Sequence, residues 1–178
     1  MNKTRLEAFS DAVIAIIMTI MVLELKIPHG TDLDALKPLF WIFVAYVLSF
    51  IYLGIYWNNH HHMLHAAQHV DGKILWANMH LLFWLSLCPV VTGCVGENHF
   101  AALPSVLYGF VLSAAAIAYG ILQQTIISVQ GADSVLRRAI GSDWKGKLSP
   151  GRYLLAILLT FFAPWMAQVI YLAVAVLW

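Results

Sequence analysis

The sequence predicts an all-α polytopic membrane protein with six transmembrane helices per chain, or five if the last span is a single proline-kinked one. Three observations predict it. Of the 178 residues, 61% are hydrophobic and only 11% charged, against about 25% charged in an ordinary soluble domain. That leaves too little polar surface to cover a globule in water. The apolar residues also come in long blocks, each near the ~20 residues that cross ~30 Å of hydrocarbon. Short polar stretches with Pro, Gly or Asn separate the blocks.

The first block runs from about Arg5 to Leu25 and stops before Ile27-Pro28-His29-Gly30. Lys3 and Arg5 ahead of an apolar run suggest a signal peptide, but Glu7 and Asp11 interrupt it and no small-residue cleavage site follows. A permanent helix is the better reading. The second block continues from Leu39 to Trp57 and leads into Asn58-Asn59-His60-His61-His62. The third covers about Ile74 to Val95, and the fourth about Leu103 to Val129. In the fourth, Gly109, Ser113, Ala116 and Gly120 form a ladder of small residues that lets helices approach closely. The polar stretch from Gln130 to Arg152 follows. The last block, Tyr153 to Trp178, is broken by Pro164, which suits the first turn of a second short helix.

Lysine and arginine bias orients the chain. With the N-terminus inside, the inner segments carry Lys3, Arg5, Lys73, Arg137, Arg138, Lys145, Lys147 and Arg152, the outer ones only Lys26 and Lys37. The N-terminus is therefore expected in the cytoplasm. With no repeat and no low-complexity segment, residues 1–178 are expected to form a single transmembrane domain. A net charge of +1 without a basic stripe gives no sign of nucleic acid. Cys88 and Cys94 sit inside an apolar block and read as packing residues.

Asp11 is the most informative residue. A carboxylate inside an apolar helix is costly and needs partners. The N-in topology brings the inner ends of the second and third helices to the same leaflet, with Trp57, Asn59, His60, His61, Asn78 and His80. A hydrogen-bonded knot between Asp11 and these groups is preferred to a helix that starts late with Asp11 as its cap. His61, His65 and His69 are spaced by four, as ligands on one helix face would be. Without a cysteine among them, a boundary role is favoured over a metal site, and no metal or cofactor is expected. Val91-Thr92-Gly93-Cys94-Val95-Gly96 invites comparison with a carbonyl selectivity filter, but it closes a full-length span instead of a re-entrant loop. No P-loop, nucleophile elbow or His-Glu-x-x-His is present, so no enzyme activity is expected. Ile16, Thr19, Ile20 and Leu23 recur on one face of the first helix, a stripe that by itself fits lipid or core contact better than a pore.

Arg5-x-x-x-Phe9-Ser10-Asp11, followed by Ala12-Val13 and a helix ending Val22-Leu23-Glu24-Leu25, resembles the signature of the transmembrane protein 175 family. These are endolysosomal potassium channels and their bacterial homologues. Trp57-Asn58-Asn59-His60-His61, Asn78, Leu87-Cys88-Pro89 and Pro164-Trp165 extend the resemblance over nearly the whole chain, while His62 stands where an arginine is expected. The resemblance implies six helices in a single repeat, a homotetramer in a bacterial plasma membrane, and a potassium-permeable pore lined by the first helix. It places a hydrophobic constriction at Ile16, with Thr19, Ile20 and Leu23 as the next pore-facing layers. Arg5, Phe9, Ser10 and Asp11, with His60, His61 and Asn78 as partners, would pack that helix against its neighbours. The alternative is a proton-coupled or cation carrier that uses Asp11 and the histidine cluster. The implied partners are lipid, permeating potassium ions and copies of the chain itself.

Overall fold

The computed structural model describes residues 2–131 and 134–140, with single positions at 151, 157, 160, 170, 171 and 173. Six α-helices stand among them: α1 Lys3–Ile20, α2 Phe40–Ala66, α3 Gly72–Ser86, α4 Cys88–Glu97, α5 Ala102–Gln130 and the short α6 Val135–Ile140. Two 3-10 segments, Met21–Glu24 and Leu33–Leu39, extend α1 and lead into α2. Among the described residues, four helical stretches are long and apolar enough to cross a membrane: Lys3–Glu24, Leu33–Ala66, Gly72–Glu97 and Ala102–Gln130. This corrects the count of six spans. The additional spans were read by dividing Tyr153–Trp178 at Pro164, and that block, single positions apart, lies outside the described residues.

Local chemistry sets the boundaries. Asn2 begins α1, its side chain accepting from the Thr4 amide at 3.2 Å. Asp71 caps α3 in the same way through the Ile74 amide at 2.9 Å. The third block is not one straight helix. It breaks at Leu87, because Pro89 lacks an N–H and its ring collides with the carbonyl four residues back. The second helix runs past its expected end at Trp57 to Ala66, taking in Asn58 to His62. Near lipid, backbone groups are best satisfied inside a helix, and this outweighs the modest propensities of Asn and His.

Lipid tails are as apolar as leucine, so tight packing and interhelical hydrogen bonds hold such helices together. α1 buries Leu6, Ser10, Ile14 and Ile17, and the 3-10 segment after it buries Met21, one face at steps of three and four. α3 and α5 pack together, with Ile74, Ala77, Leu81 and Leu85 buried on one and Ala115, Ala118, Leu122 and Ile126 on the other. Gly96 lets α4 close on α2: a Cβ there would stand 2.8 Å from the Ile42 Cα. Of the small-residue ladder on α5, Gly109 is filled by the Tyr171 hydroxyl, whereas Gly120 faces open space.

Candidate functional site

The polar residues of the first motif divide into two groups along α1. Ser10 is fully buried and its hydroxyl donates to the Leu6 carbonyl at 2.8 Å. Its oxygen accepts from Asn78 Nδ2 of α3 at 2.9 Å, and Asn78 Oδ1 lies 2.7 Å from His60 Nε2 of α2. An amide oxygen only accepts, so Nε2 carries the proton, and neutral His60 then presents Nδ1 as an acceptor. That atom is buried without a partner among the described residues. One turn of side chains thus ties α1, α2 and α3 together at a single level.

Asp11 lies more than two turns inside α1 and caps nothing, because the helix starts at Lys3. Its Oδ1 accepts from Trp57 Nε1 at 3.0 Å in a half-exposed position. Nearer the N-terminus, Lys3 Nζ donates to the His65 carbonyl at 2.7 Å and stands 3.7 Å from Glu7. The start of α1 and the end of α2 therefore share one side of the bundle. His61 is exposed, its ring packed among those of Trp57, His62 and His65, and takes no part in the buried chain. His80 instead accepts from Trp84 Nε1 at 2.9 Å on an exposed face of α3. Arg5 is exposed, without an ion pair among the described residues. Phe9 is also exposed, and both border an open groove with Leu6, Leu75 and Met79. No group of three or more potential metal ligands converges among the described residues.

The opposite face of α1 has no cover among the described residues. Ile16 is 55% exposed, Ile20 44% and Leu23 77%, while Ile14, Ile17 and Met21 between them are buried. Thr19 is exposed on the same side, and its hydroxyl donates to the Ile16 carbonyl at 2.9 Å. The oxygen's lone pairs stay available.

A second buried polar chain had no signal in the sequence. Thr92 of α4 is hydrogen-bonded to Ser49 of α2 at 2.7 Å and to the Cys88 carbonyl at 2.6 Å. Ser49 is bonded in turn to Tyr108 of α5 at 2.9 Å. The three hydroxyls stand on three different helices, so no spacing within one segment could connect them.

With this geometry in place, the similarities to known proteins are specific. Residues 5–89 match the family described as endosomal/lysosomal potassium channel TMEM175. A potassium channel of Chryseobacterium sp. (strain P1-3) is 52% identical over 178 residues, covering 100% of this chain and 93% of that protein. An endosomal/lysosomal proton channel TMEM175 of Gallus gallus is 36% identical over 73 residues, 34% of this chain and 15% of that one. The crystal structure of a lysosomal potassium-selective channel TMEM175 homolog from Chamaesiphon minutus superposes with a TM-score of 0.82 at 25% identity. That match covers 98% of this chain and 94% of the other.

Proposed function

The chain belongs to the TMEM175 family and is an integral membrane protein, and from that premise we propose that it forms a potassium-permeable cation channel as a homotetramer, with α1 lining the pore. The observation that supports this most is the division of α1 into a packed stripe and an uncovered apolar one. Four uncovered stripes around an axis make successive rings of Ile16, Ile20 and Leu23. A narrow apolar ring excludes water, because water inside it loses hydrogen bonds without replacement. The Ile16 ring is the constriction in this reading. Thr19, offset between the rings, supplies oxygen to a partly dehydrated cation. Ser10, Asp11, Asn78 and His60 hold α1 to α2 and α3 and do not meet the ion, and Arg5 and Phe9 belong to the same inner end. The whole of 1–178 acts as one channel domain, without cofactor or catalytic group.

The basic residues Lys3, Arg5 and Lys73 lie on the side where α1 begins, which supports a cytoplasmic N-terminus in a bacterial plasma membrane. The carrier alternative loses ground on geometry. Asp11 pairs with Trp57, while the exposed histidines cluster on α2, so no chain of titratable groups crosses the bundle among the described residues.

Potassium flux into proteoliposomes, read with a potassium-sensitive dye, tests the proposal directly. Wild-type protein should pass potassium down its gradient without any coupled ion. Ile16→Asn should hydrate the constriction, raise the flux and weaken discrimination against sodium. Val13 lies about 60° around the helix from Ile16 and packs partly against the core. Val13→Asn should lower the yield of folded protein and leave the flux per channel unchanged. Equal flux effects at the two positions would refute the pore-facing stripe.

A further inference from the structure

The glycine-rich stretch on α4, rejected as a selectivity filter, has a different use. Gly93 is buried, and a Cβ there would collide with Glu24 Oε2 and stand 3.1 Å from Glu24 Cδ. The missing side chain is the seat of the Glu24 carboxylate. Glu24 ends the 3-10 segment that extends α1 and directly follows Leu23, the most exposed residue of the uncovered stripe. It is half-buried and forms neither a hydrogen bond nor an ion pair among the described residues. The adjacent cation does not neutralise it, because Lys26 Nζ is engaged by Glu97 at 2.7 Å.

A carboxylate at this position is doubly unfavourable in an isolated chain. The C-terminal end of a helix already carries about half a negative charge from its unsatisfied carbonyls. Partial burial adds a desolvation cost. A mobile cation removes both penalties at once. We propose that Glu24, held in place by Gly93, is the cation-attracting group at the outer end of the permeation path, concentrating hydrated monovalent cations beside the Leu23 ring. The inference rests on the channel reading above and adds to it a residue that governs entry. Rings of carboxylates serve cation pores in this way, and a focused negative potential raises local cation supply and on-rate by about tenfold or more.

Potassium influx into proteoliposomes should be measured at a few concentrations of potassium chloride from low to high ionic strength. Glu24→Gln should slow influx about tenfold at the low end, with the loss shrinking as salt screens the charge. Glu24→Asp, which keeps the charge, should retain most of the wild-type rate. Gly93→Ala keeps the charge but displaces the carboxylate, and should reproduce part of the loss with the same salt dependence. Asp34→Asn removes an exposed outer carboxylate that pairs with Lys37 and should match wild type. Glu24→Gln at the wild-type rate, or a loss independent of salt, overturns the proposal. An equal loss in Asp34→Asn would assign the effect to general surface charge and overturn it as well. If Glu24→Gln is not recovered folded, a wild-type rate for Gly93→Ala does the same. A wild-type protein that passes no potassium would instead refute the channel reading, so the two failures are distinguishable.

Discussion

Ser10, Asn78 and His60 each look unremarkable, yet together they form a buried hydrogen-bonded chain that joins α1, α3 and α2. The sequence made the chemistry of this region legible, because a carboxylate and a row of polar residues inside apolar blocks demand partners. It did not make the pairing legible. Neighbouring helical positions differ by about 100°, so His60 points into the bundle while His61 points out. The same rotation sends Asp11 to Trp57 and Ser10 to Asn78. Asn78→Ala removes the middle of the chain, leaving His60 Nε2 without its partner and the Ser10 oxygen without its donor. Leaving buried groups unsatisfied costs about 1–3 kcal/mol, so thermal unfolding in detergent should begin well below wild type. His61→Ala, at an exposed site, should change it little. A comparable loss in both variants would mean that the buried chain is not what holds α1.

At the scale of elements, the apolar blocks located the spans but misjudged their ends and breaks. Hydropathy is blind to the Leu87 break, because Pro89 changes backbone geometry without changing polarity. It also ended the second helix at the first polar residues, although α2 carries them for another two turns or more. The small-residue ladder on α5 was legible as composition, but its use depends on what lies opposite. Gly109 meets Tyr171, and Gly120 meets nothing within 4 Å. A contact with backbone is found instead at Gly96 on α4, whose hypothetical Cβ meets the Ile42 Cα. A backbone atom cannot move aside as a flexible side-chain end can. Gly96→Ala should therefore separate α2 from α4 and strain the neighbouring Ser49–Thr92 bond, lowering the melting temperature. Gly120→Ala has room and gains up to about 1 kcal/mol of helix propensity, so its melting temperature should hold or rise. The opposite ranking in a thermal-shift series would contradict the placement of α4 against α2.

At the scale of the whole molecule, the assembly is what the sequence conveyed least, because a stripe such as Ile16, Ile20 and Leu23 reads the same whether lipid or another copy covers it. The structure separates the stripe from the packed face of α1 and gives the tetramer proposal a concrete consequence. If four copies surround one axis, their Leu23 side chains face each other near its outer end. Cysteines come within disulfide reach only when their Cα atoms approach to about 4.4–6.8 Å, and a short bifunctional thiol reagent extends that reach modestly. In a background with Cys88 and Cys94 replaced by alanine, Leu23→Cys should cross-link into a ladder that ends at four chains. Ile117→Cys is a useful contrast. It is 50% exposed on α5, away from α1, and should remain monomeric on the same gel. Lipid dilutes random collisions equally at both positions, so a difference between them reports geometry and not thiol reactivity. A Leu23→Cys ladder that stops at two chains would replace the four-fold pore with a dimer. Cross-linking at Ile117→Cys to the same extent would remove the argument that α1 faces its own copies.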